Sequence, residues 1–198
     1  MAKVRTRELI LDVALQLFNE RGERLVNSVD LAHEMNISPG NLYYHFKGKE
    51  SIVEELYARF HASLFVVIES VSTSTPTDAK SFLDYLSLIS EIFLKYRFIT
   101  QDLVGLCAHY RNIELQAEKA IQRLHAHILA LISRMPSFST IEHIDNAHRL
   151  LADNVLNTLL HANSCSTLLN LEGACCEAET TTIQNRLHLQ LLPFLSHN

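Results

Sequence analysis

The sequence predicts an all-α protein in which a short N-terminal helical domain is joined by one long helix to a larger C-terminal helical domain. Apolar residues recur at helical spacing through most of the 198 residues, and no alternating stretch is long enough for a strand. Glycine is rare, and Gly22, Gly40 and Gly48 lie in the N-terminal quarter, where we expect helix junctions. The two domains are therefore expected over residues 1–49 and 50–198.

The first predicted helix runs from about Thr6 to Arg21 and closes at Gly22. Its apolar residues repeat every three to four positions, so one face can pack against the rest of the domain. These residues are Leu9, Ile10, Val13, Ala14, Leu17 and Phe18.

Two short helices joined by a tight turn are predicted between Asn27 and Phe46. Asn27 can cap the first of them together with Asp30, which follows at the spacing of a capping box. Asn36 lies where this helix should stop, because asparagine tolerates the left-handed conformation that ends many helices.

The second helix of the pair begins with Ser38 as its cap and Pro39 at the first helical position, where a missing N–H is harmless. Leu42 and Phe46 are four residues apart and should face inward. This layout is that of a helix-turn-helix, which places its second helix in the major groove of DNA.

The remaining positions of the second helix suit contact with DNA. Gly40 lets the backbone approach a phosphate, and Asn41 can hydrogen-bond a base edge or a phosphate. Tyr43 and Tyr44 are adjacent on a short helix, where buried phenols would each need a polar partner. On a DNA surface they can contact phosphates or a thymine methyl group. Packing of a tyrosine against the next helix and a plain surface role for His45 are the alternatives.

Basic residues flank this pair of helices. Lys3, Arg5 and Arg7 are expected to form a basic arm before the first helix, and Lys47 and Lys49 follow the second helix of the pair. These cations can neutralise phosphates. Ordinary solvated side chains are the alternative.

Four stretches near the N-terminus together resemble the TetR family of bacterial transcriptional regulators. Residues 7–22, 28–32, 37–46 and 47–50 are similar to the family's first helix, second helix, recognition helix and entry to the fourth helix. Family members more often carry a basic residue where Pro39 stands and Thr or Ala where Asn41 stands, which leaves the base preference open. The motif and the resemblance together predict DNA contacts by Lys3, Arg5, Ser28, Ser38, Pro39, Gly40, Asn41, Tyr43, Tyr44, His45, Lys47 and Lys49.

The resemblance implies a homodimer that binds a palindromic operator, and a repressor that a small molecule releases by binding the C-terminal domain. Geometry also favours a dimer, because one helix-turn-helix reads only one half-site. The alternative function is a DNA-associating dimer without a small-molecule ligand, controlled by a protein partner. An enzyme is not expected, since the sequence carries no nucleophile–base arrangement, P-loop or metal motif.

The net charge of −5 is unevenly divided, with +1 on residues 1–49 and −6 on residues 50–198. This asymmetry has the sign expected of an N-terminal DNA-binding domain, and its small size indicates modest non-specific affinity. Neither a signal peptide nor a membrane-spanning stretch is predicted, and the four cysteines lack disulfide or metal-ligand spacing. We therefore expect a cytoplasmic protein without a metal or cofactor.

A long fourth helix is predicted over residues 50–71, and its apolar stripe is too long for the DNA-binding domain alone. Its first half should close the N-terminal core and its second half should enter the C-terminal domain, so that one helix links both. Further helices are expected from Asp78, over residues 114–134 and 141–162, and from Thr180 to a break at Pro193, with loops at residues 72–78 and around Gly173.

The last two long helices carry apolar stripes. As the resemblance implies, these stripes are expected to pair with their twofold mates in a four-helix bundle, and packing within one chain is the alternative. The stripe residues are Ile144, Leu151, Val155, Leu159, Ile183, Leu187 and Leu191.

An effector pocket is expected between helices of the C-terminal domain, because helical domains hold small molecules there in mostly apolar sites with a few polar groups. The apolar candidates favour a hydrophobic or amphipathic effector, and core packing is the alternative for each of them. The candidates are Leu86, Ile89, Phe93, Phe98, Leu103, Leu106, Tyr110, His125 and Ile128, with His127 as a further polar contact.

Overall fold

The computed structural model describes residues 2–70, 76, 78–141, 145–169 and 176–195. These residues form ten α-helices and two 3-10 segments, and no strand is found among them, which confirms the predicted all-α class. The α-helices are α1 (Ala2–Arg21), α2 (Ser28–Glu34), α3 (Pro39–His45), α4 (Lys49–Ser70), α5 (Ala79–Lys95), α6 (Arg97–Gln101), α7 (Leu103–His109), α8 (Arg111–Arg134), α9 (Ala147–Leu169) and α10 (Cys176–Leu195). The 3-10 segments span Glu23–Leu25 and Pro136–Ile141.

The helices α1, α2 and α3 pack with the N-terminal half of α4 into a unit that we call the head. Each helix contributes an apolar side chain that is almost fully buried, such as Phe18, Leu31, Leu42 and Ile52. Because α2 and α3 have only seven residues each, the packing of α2 against α1 and α3, rather than intrinsic propensity, stabilises them.

The helix α4 contributes buried residues along both of its halves. Ile52 and Leu56 are buried in the head, whereas Leu64 and Ile68 are buried farther along, where α4 packs against α5 and α8. The helices α5 to α10 and the C-terminal half of α4 form a second unit, which we call the body. One continuous helix therefore joins head and body.

The start of α1 differs from the prediction. The helix begins at Ala2 instead of Thr6, so Lys3 and Arg5 belong to its first turns and no separate basic arm precedes it. Lysine, arginine and alanine are strong helix formers, and residues 2–7 contain no glycine or proline that would break a helix.

The body also departs from the prediction at several helix ends. The segment after α5 forms two short helices, α6 and α7, separated at Asp102, and α8 begins at Arg111. The helix α9 begins at Ala147, because Pro136–Ile141 form a 3-10 segment before it. Pro193 lies inside the last turn of α10, which continues to Leu195, so the helix does not stop at the proline as expected. The predicted loop around Gly173 and most of the loop at residues 72–78 lie outside the described residues.

Candidate nucleic-acid interface

The first helix of the predicted pair, α2, has the cap that its sequence predicts. The Asn27 Oδ1 atom accepts hydrogen bonds from the backbone N–H groups of Val29 at 2.8 Å and Asp30 at 3.1 Å. In return, the Asp30 carboxylate accepts from the Asn27 N–H at 2.8 Å, which completes a capping box. Asn36 follows α2 with φ of 53°, the left-handed conformation expected of a helix stop.

The helix α3 is held to the head by two anchors. Ser38 caps it by accepting a hydrogen bond from the Asn41 N–H at 3.2 Å, and Pro39 occupies its first turn. Leu42 is almost fully buried within α3, and Phe46 is buried directly after it. These two side chains fix the inward face of the helix, while His45 is half-buried and the positions from Pro39 to Asn41, with Tyr43 and Tyr44, are exposed.

The outward face of α3 presents two aromatic rings. Tyr43 is 55% exposed and Tyr44 is 67% exposed, although tyrosine normally buries most of its ring. The imidazole of His45 meets the Tyr44 ring edge-on with centroids 5.2 Å apart, so His45 packs against this tyrosine. Ser38, Pro39, Gly40 and Asn41 are also exposed.

Gly40 is not required by the fold of the chain. Its backbone is in the ordinary helical region, and a methyl group at its Cα would have Ser38 Oγ, at 3.9 Å, as its nearest neighbour. Such a distance is an ordinary van der Waals contact. The absence of a side chain at Gly40 therefore leaves open space at the start of α3 that the head does not fill.

Two bidentate ion pairs clamp α1 to α4 behind this surface. The Arg7 guanidinium donates to both carboxylate oxygens of Glu55 at 2.6 and 2.7 Å, and that of Arg59 donates to Glu8 at 2.7 and 2.8 Å. Hydrogen bonds from Arg7 and Arg59 hold the pKa values of Glu55 and Glu8 below their usual range. Arg7 also lies over the Phe46 ring, 4.6 Å from its centroid, so it positions α3 and is not a member of a basic arm.

The other predicted cations fall into two groups. Lys49 is turned inward, because its Nζ lies 2.7 Å from Glu23 Oε1 and donates to the Glu23 carbonyl at 3.1 Å. This pairing neutralises its charge, so we remove Lys49 from the expected phosphate contacts. Arg5 and Lys47 are exposed at the surface of the head, and the side chain of Lys3 lies outside the described residues. Ser28 is half-buried at the start of α2.

Glu23 is a buried charge that joins head and body. Its carboxylate binds Lys49 at the start of α4, and the Tyr110 hydroxyl donates to Glu23 Oε1 at 2.5 Å from the junction of α7 and α8. Glu23 lies in the 3-10 segment that follows Gly22, whose φ of 85° allows the chain to turn there. The sequence analysis missed this contact, since Glu23 and Tyr110 are 87 residues apart.

A second set of contacts joins the end of α1 and the 3-10 segment after it to the body. The Asn19 side chain donates to the Lys95 carbonyl at 2.9 Å and accepts from the Phe98 N–H at 3.0 Å, while Arg97 Nε donates to the Asn19 carbonyl at 2.9 Å. Arg24 pairs with Asp102 at 3.0 Å. The end of α1 is thus hydrogen-bonded directly to α6, beside the connection made by α4.

The predicted effector residues lie in the body, and most of them are core residues. Leu103 is partly buried, and two of the three polar candidates already have partners, since Tyr110 binds Glu23 and His125 Nε2 lies 2.7 Å from Asp153 Oδ1. The buried apolar candidates are Leu86, Ile89, Phe93, Phe98, Leu106 and Ile128.

A different polar pair is unsatisfied in the body. The Tyr85 hydroxyl and His127 Nε2 are buried and have no hydrogen-bond partner within the described part of the chain. The sequence analysis named His127 but missed Tyr85. The sequence does mark Tyr85, because its hydroxyl is a polar group inside the apolar stripe of α5, between Phe82 and Ile89.

The predicted dimer stripes are buried within the single chain. Leu151, Val155, Leu159, Ile183, Leu187 and Leu191 are all at least nine-tenths buried, so they pack α9 and α10 into the body and cannot meet a second chain. Ile144 lies outside the described residues. The apolar face of each long helix is used by the core of its own chain, as the alternative in the sequence analysis states.

The described helices include none with the length and hydropathy needed to cross a bilayer. Groups of three or more His, Cys, Asp or Glu side chains arranged to hold a metal ion are likewise not found among these residues.

Two family models match the chain. One described as "Bacterial regulatory proteins, tetR family" matches residues 10–56, and one described as "Bacterial transcriptional repressor" matches residues 56–174. The second match alone covers more than half of the chain. The chain belongs to the TetR family of bacterial transcriptional regulators. The helix-turn-helix of the head is the DNA-binding motif of that family, whose members are regulators and not enzymes.

Individual relatives agree with this assignment. The HTH-type transcriptional repressor KstR2 of Mycobacterium tuberculosis is 27% identical over 154 residues, which are 75% of this chain and 63% of that protein. The chain thus spans less than two thirds of the length of this curated relative. A TetR-family regulator from Marinobacter aquaeolei VT8 shares the fold with a TM-score of 0.79 at 22% identity, over 97% of this chain and 92% of that one. The ketosteroid transcriptional regulator KstR2 of M. tuberculosis has a TM-score of 0.68 at 21% identity, over 94% and 93% of the two chains.

Proposed function

We propose that this TetR-family regulator is a repressor that binds a palindromic operator as a homodimer, in the cytoplasm, and is released by an apolar or amphipathic effector. The observation that carries the proposal is the outward face of α3, with Tyr43 and Tyr44 exposed side by side while Leu42 and Phe46 anchor the helix. Exposed aromatic side chains on a short, rigidly held helix suit contact with phosphates and base edges.

The open space at Gly40 also favours the outward face of α3 as the surface that contacts DNA. A glycine that its own chain does not need leaves room for an outside partner, and a DNA phosphate can then approach the backbone N–H groups at the start of α3. Ser38 and Asn41 flank this position and are exposed. Lys47 and Arg5 lie on the same head and carry the charge that phosphates attract.

We place the dimer interface on the outer faces of α9 and α10, in place of the buried stripes. Leu150 on α9 is 53% exposed, and Leu189 and Leu192 on α10 are 68% and 48% exposed. Large apolar side chains left open on adjacent helices mark surfaces that a partner covers. A second copy is the partner we propose, since two recognition helices are needed to read a palindrome.

The effector would act on the head by two connections. One is α4, which is shared by both cores, and the other is the Glu23 carboxylate, which joins Lys49 to Tyr110. A molecule that binds the body better in one arrangement of head and body than in the other shifts the population toward that arrangement. The spacing of the two recognition helices, and hence operator affinity, changes with it.

Selection from a random double-stranded DNA library, in low salt and with purified protein, tests the proposal. We expect enrichment of a sequence with twofold symmetry and its loss with Tyr43→Ala. Val104→Ala is the matched control, because Val104 is 85% exposed on α7, outside the head. Failure of the wild-type protein to enrich any sequence would contradict the proposal.

A further inference from the structure

Two polar side chains face each other in the interior of the body without a hydrogen bond. Tyr85 on α5 is only 3% exposed, and its ring lies against that of His127 on α8 with centroids 5.6 Å apart. The Tyr85 hydroxyl and His127 Nε2 are both buried, and neither has a partner in the described ranges. Buried polar atoms are almost always hydrogen-bonded in folded proteins, because an unpaired one costs its full desolvation energy.

Both groups are neutral at physiological pH. Burial raises the pKa of the Tyr85 phenol, so the hydroxyl keeps its proton and can donate. Burial, with the nearby charges of Arg123 and Arg134, lowers the pKa of His127, so the imidazole has one N–H donor and one acceptor nitrogen. The pair therefore offers one donor that does not depend on the tautomer of the imidazole, the phenol of Tyr85.

The walls around the pair are apolar. Ile89 lies one helical turn after Tyr85 on α5, and Leu124 and Leu131 lie about one turn on either side of His127 on α8, and all three are buried. A row of aromatic rings continues from Tyr85 to Phe82 and on to Phe138 and Phe194, with successive centroids 6.4, 6.0 and 4.7 Å apart. A polar point at the end of an aromatic row matches the usual make-up of a small-molecule site.

We propose that Tyr85 and His127 are the polar recognition point for the effector, and that they bind an oxygen atom of a carbonyl or carboxylate group carried on an apolar body. The oxygen accepts a hydrogen bond from the Tyr85 hydroxyl and, in the tautomer that protonates Nε2, a second one from His127. The inference rests on the proposed function and adds the chemistry that the site selects.

A buried water molecule is the competing occupant, because a water can satisfy two such atoms in a polar pocket. A water-filled site predicts no preference among apolar ligands. A recognition site predicts that ligands with an oxygen acceptor bind more tightly than hydrocarbons with the same carbon skeleton.

The test measures thermal stabilisation and affinity for two matched sets of probes. One set is decanoate, methyl octyl ketone and decane, and the other is phenylbutanoate, benzylacetone and butylbenzene. The full chain is compared with Tyr85→Phe and His127→Phe, which keep a ring at each position. Tyr96→Phe is the control, because it removes the hydroxyl of another buried tyrosine outside the pair.

We expect an oxygen-bearing member of a set to bind the wild-type protein and Tyr96→Phe at least about tenfold more tightly than its hydrocarbon, the worth of one good hydrogen bond to a buried group. Tyr85→Phe should remove this preference while leaving hydrocarbon binding unchanged. The inference is overturned if the wild-type protein shows no preference for oxygen, or if Tyr85→Phe and His127→Phe retain it. Operator binding is measured separately without probes, so failure of the repressor proposal would appear there alone.

Discussion

The sequence predicts interfaces on the recognition helix α3 and on the long helices α9 and α10. The predicted interface residues are mostly exposed on α3, whereas they are buried on α9 and α10. On α3, Tyr43 and Tyr44 are more than half exposed, whereas Leu187 and Leu191 on α10 are almost completely buried in their own chain. The difference lies in helix length. A seven-residue helix needs only Leu42 and the adjoining Phe46 as anchors, and its remaining positions are available to a partner.

A long helix has the opposite requirement. From Ile183 onward α10 presents an apolar stripe through Leu187 and Leu191, and leaving that stripe exposed would forgo a main contribution to the stability of the body. The dimer interface that we propose for α10 therefore lies on its opposite face, at Leu189 and Leu192. An apolar stripe on a long helix indicates a core, and exposed aromatic side chains on a short helix indicate a partner.

The largest expected effect tests the buried side of this comparison. Leu187→Ala should lower the free energy of unfolding by about 2–5 kcal/mol, because it opens a cavity in a closely packed core. Leu189→Ala, two residues away and 68% exposed, should change the free energy of unfolding of the monomer, at a protein concentration low enough to dissociate the proposed dimer, by less than about 0.5 kcal/mol. Urea denaturation of both variants measures this. Equal effects of the two substitutions would show that the faces of α10 are assigned wrongly.

The second prediction tests the exposed side. Tyr43→Ala should weaken operator binding by about 1–3 kcal/mol and leave the free energy of unfolding almost unchanged, because the ring is exposed and we expect it to contact DNA. Fluorescence anisotropy with labelled operator measures the affinity, and Val104→Ala serves as the control. A Tyr43 variant that unfolds more easily but binds DNA normally would make this tyrosine a structural residue.

The third prediction concerns the contact between the two regions. Glu23→Gln removes the charge that neutralises Lys49, while its side-chain oxygen can still accept from the Tyr110 hydroxyl. We expect a loss of about 1–2 kcal/mol in the free energy of unfolding, the scale of a hydrogen bond to a charged group. Tyr110→Phe should reproduce part of this loss. Two variants as stable as the wild type would show that the contact of Glu23 with Lys49 and Tyr110 does not stabilise the junction of head and body.

The smallest expected effect is a pH dependence that originates in the body. Burial holds the pKa of His127 below its usual 6.5. As the pH falls, the unfolded chain therefore binds a proton on this imidazole before the folded chain does. This contribution to stability is complete above about pH 6.5 and declines as the pH falls toward the folded pKa. His61 shifts in the same direction, also through burial, so wild-type protein should lose stability between pH 7.5 and 5.5, and His127→Leu should lose less. Urea midpoints at both pH values measure the difference, and an equal loss in the variant would contradict it.

The sequence specifies α2 and α3 well because their signals are local. Asn27 and Asp30 cap each other across three residues, Asn36 adopts its left-handed conformation, and Ser38 caps the next helix through Asn41. Each of these contacts forms between residues only a few positions apart. Such contacts depend little on the rest of the fold.

The features that the sequence did not specify depend on distant partners. Glu23 and Tyr110 meet across 87 residues, and the pairing of Tyr85 with His127 depends on how α5 crosses α8. The inward turn of Lys49 follows from the burial of Glu23, which no local pattern marks. Periodicity located the stripes of α9 and α10, but it does not distinguish burial by the same chain from burial by a second one.

Whether the outward face of α3 binds DNA can be measured through the affinity of Gly40→Ala for the selected operator. The fold leaves room for a methyl group at this position. Alanine also favours the helix more than glycine does, so the variant should be at least as stable as the wild type. We expect operator affinity nevertheless to fall by at least about tenfold, because the methyl group would hold the backbone away from a phosphate. Wild-type affinity in a folded Gly40→Ala protein would contradict the assignment of this face of α3 to DNA.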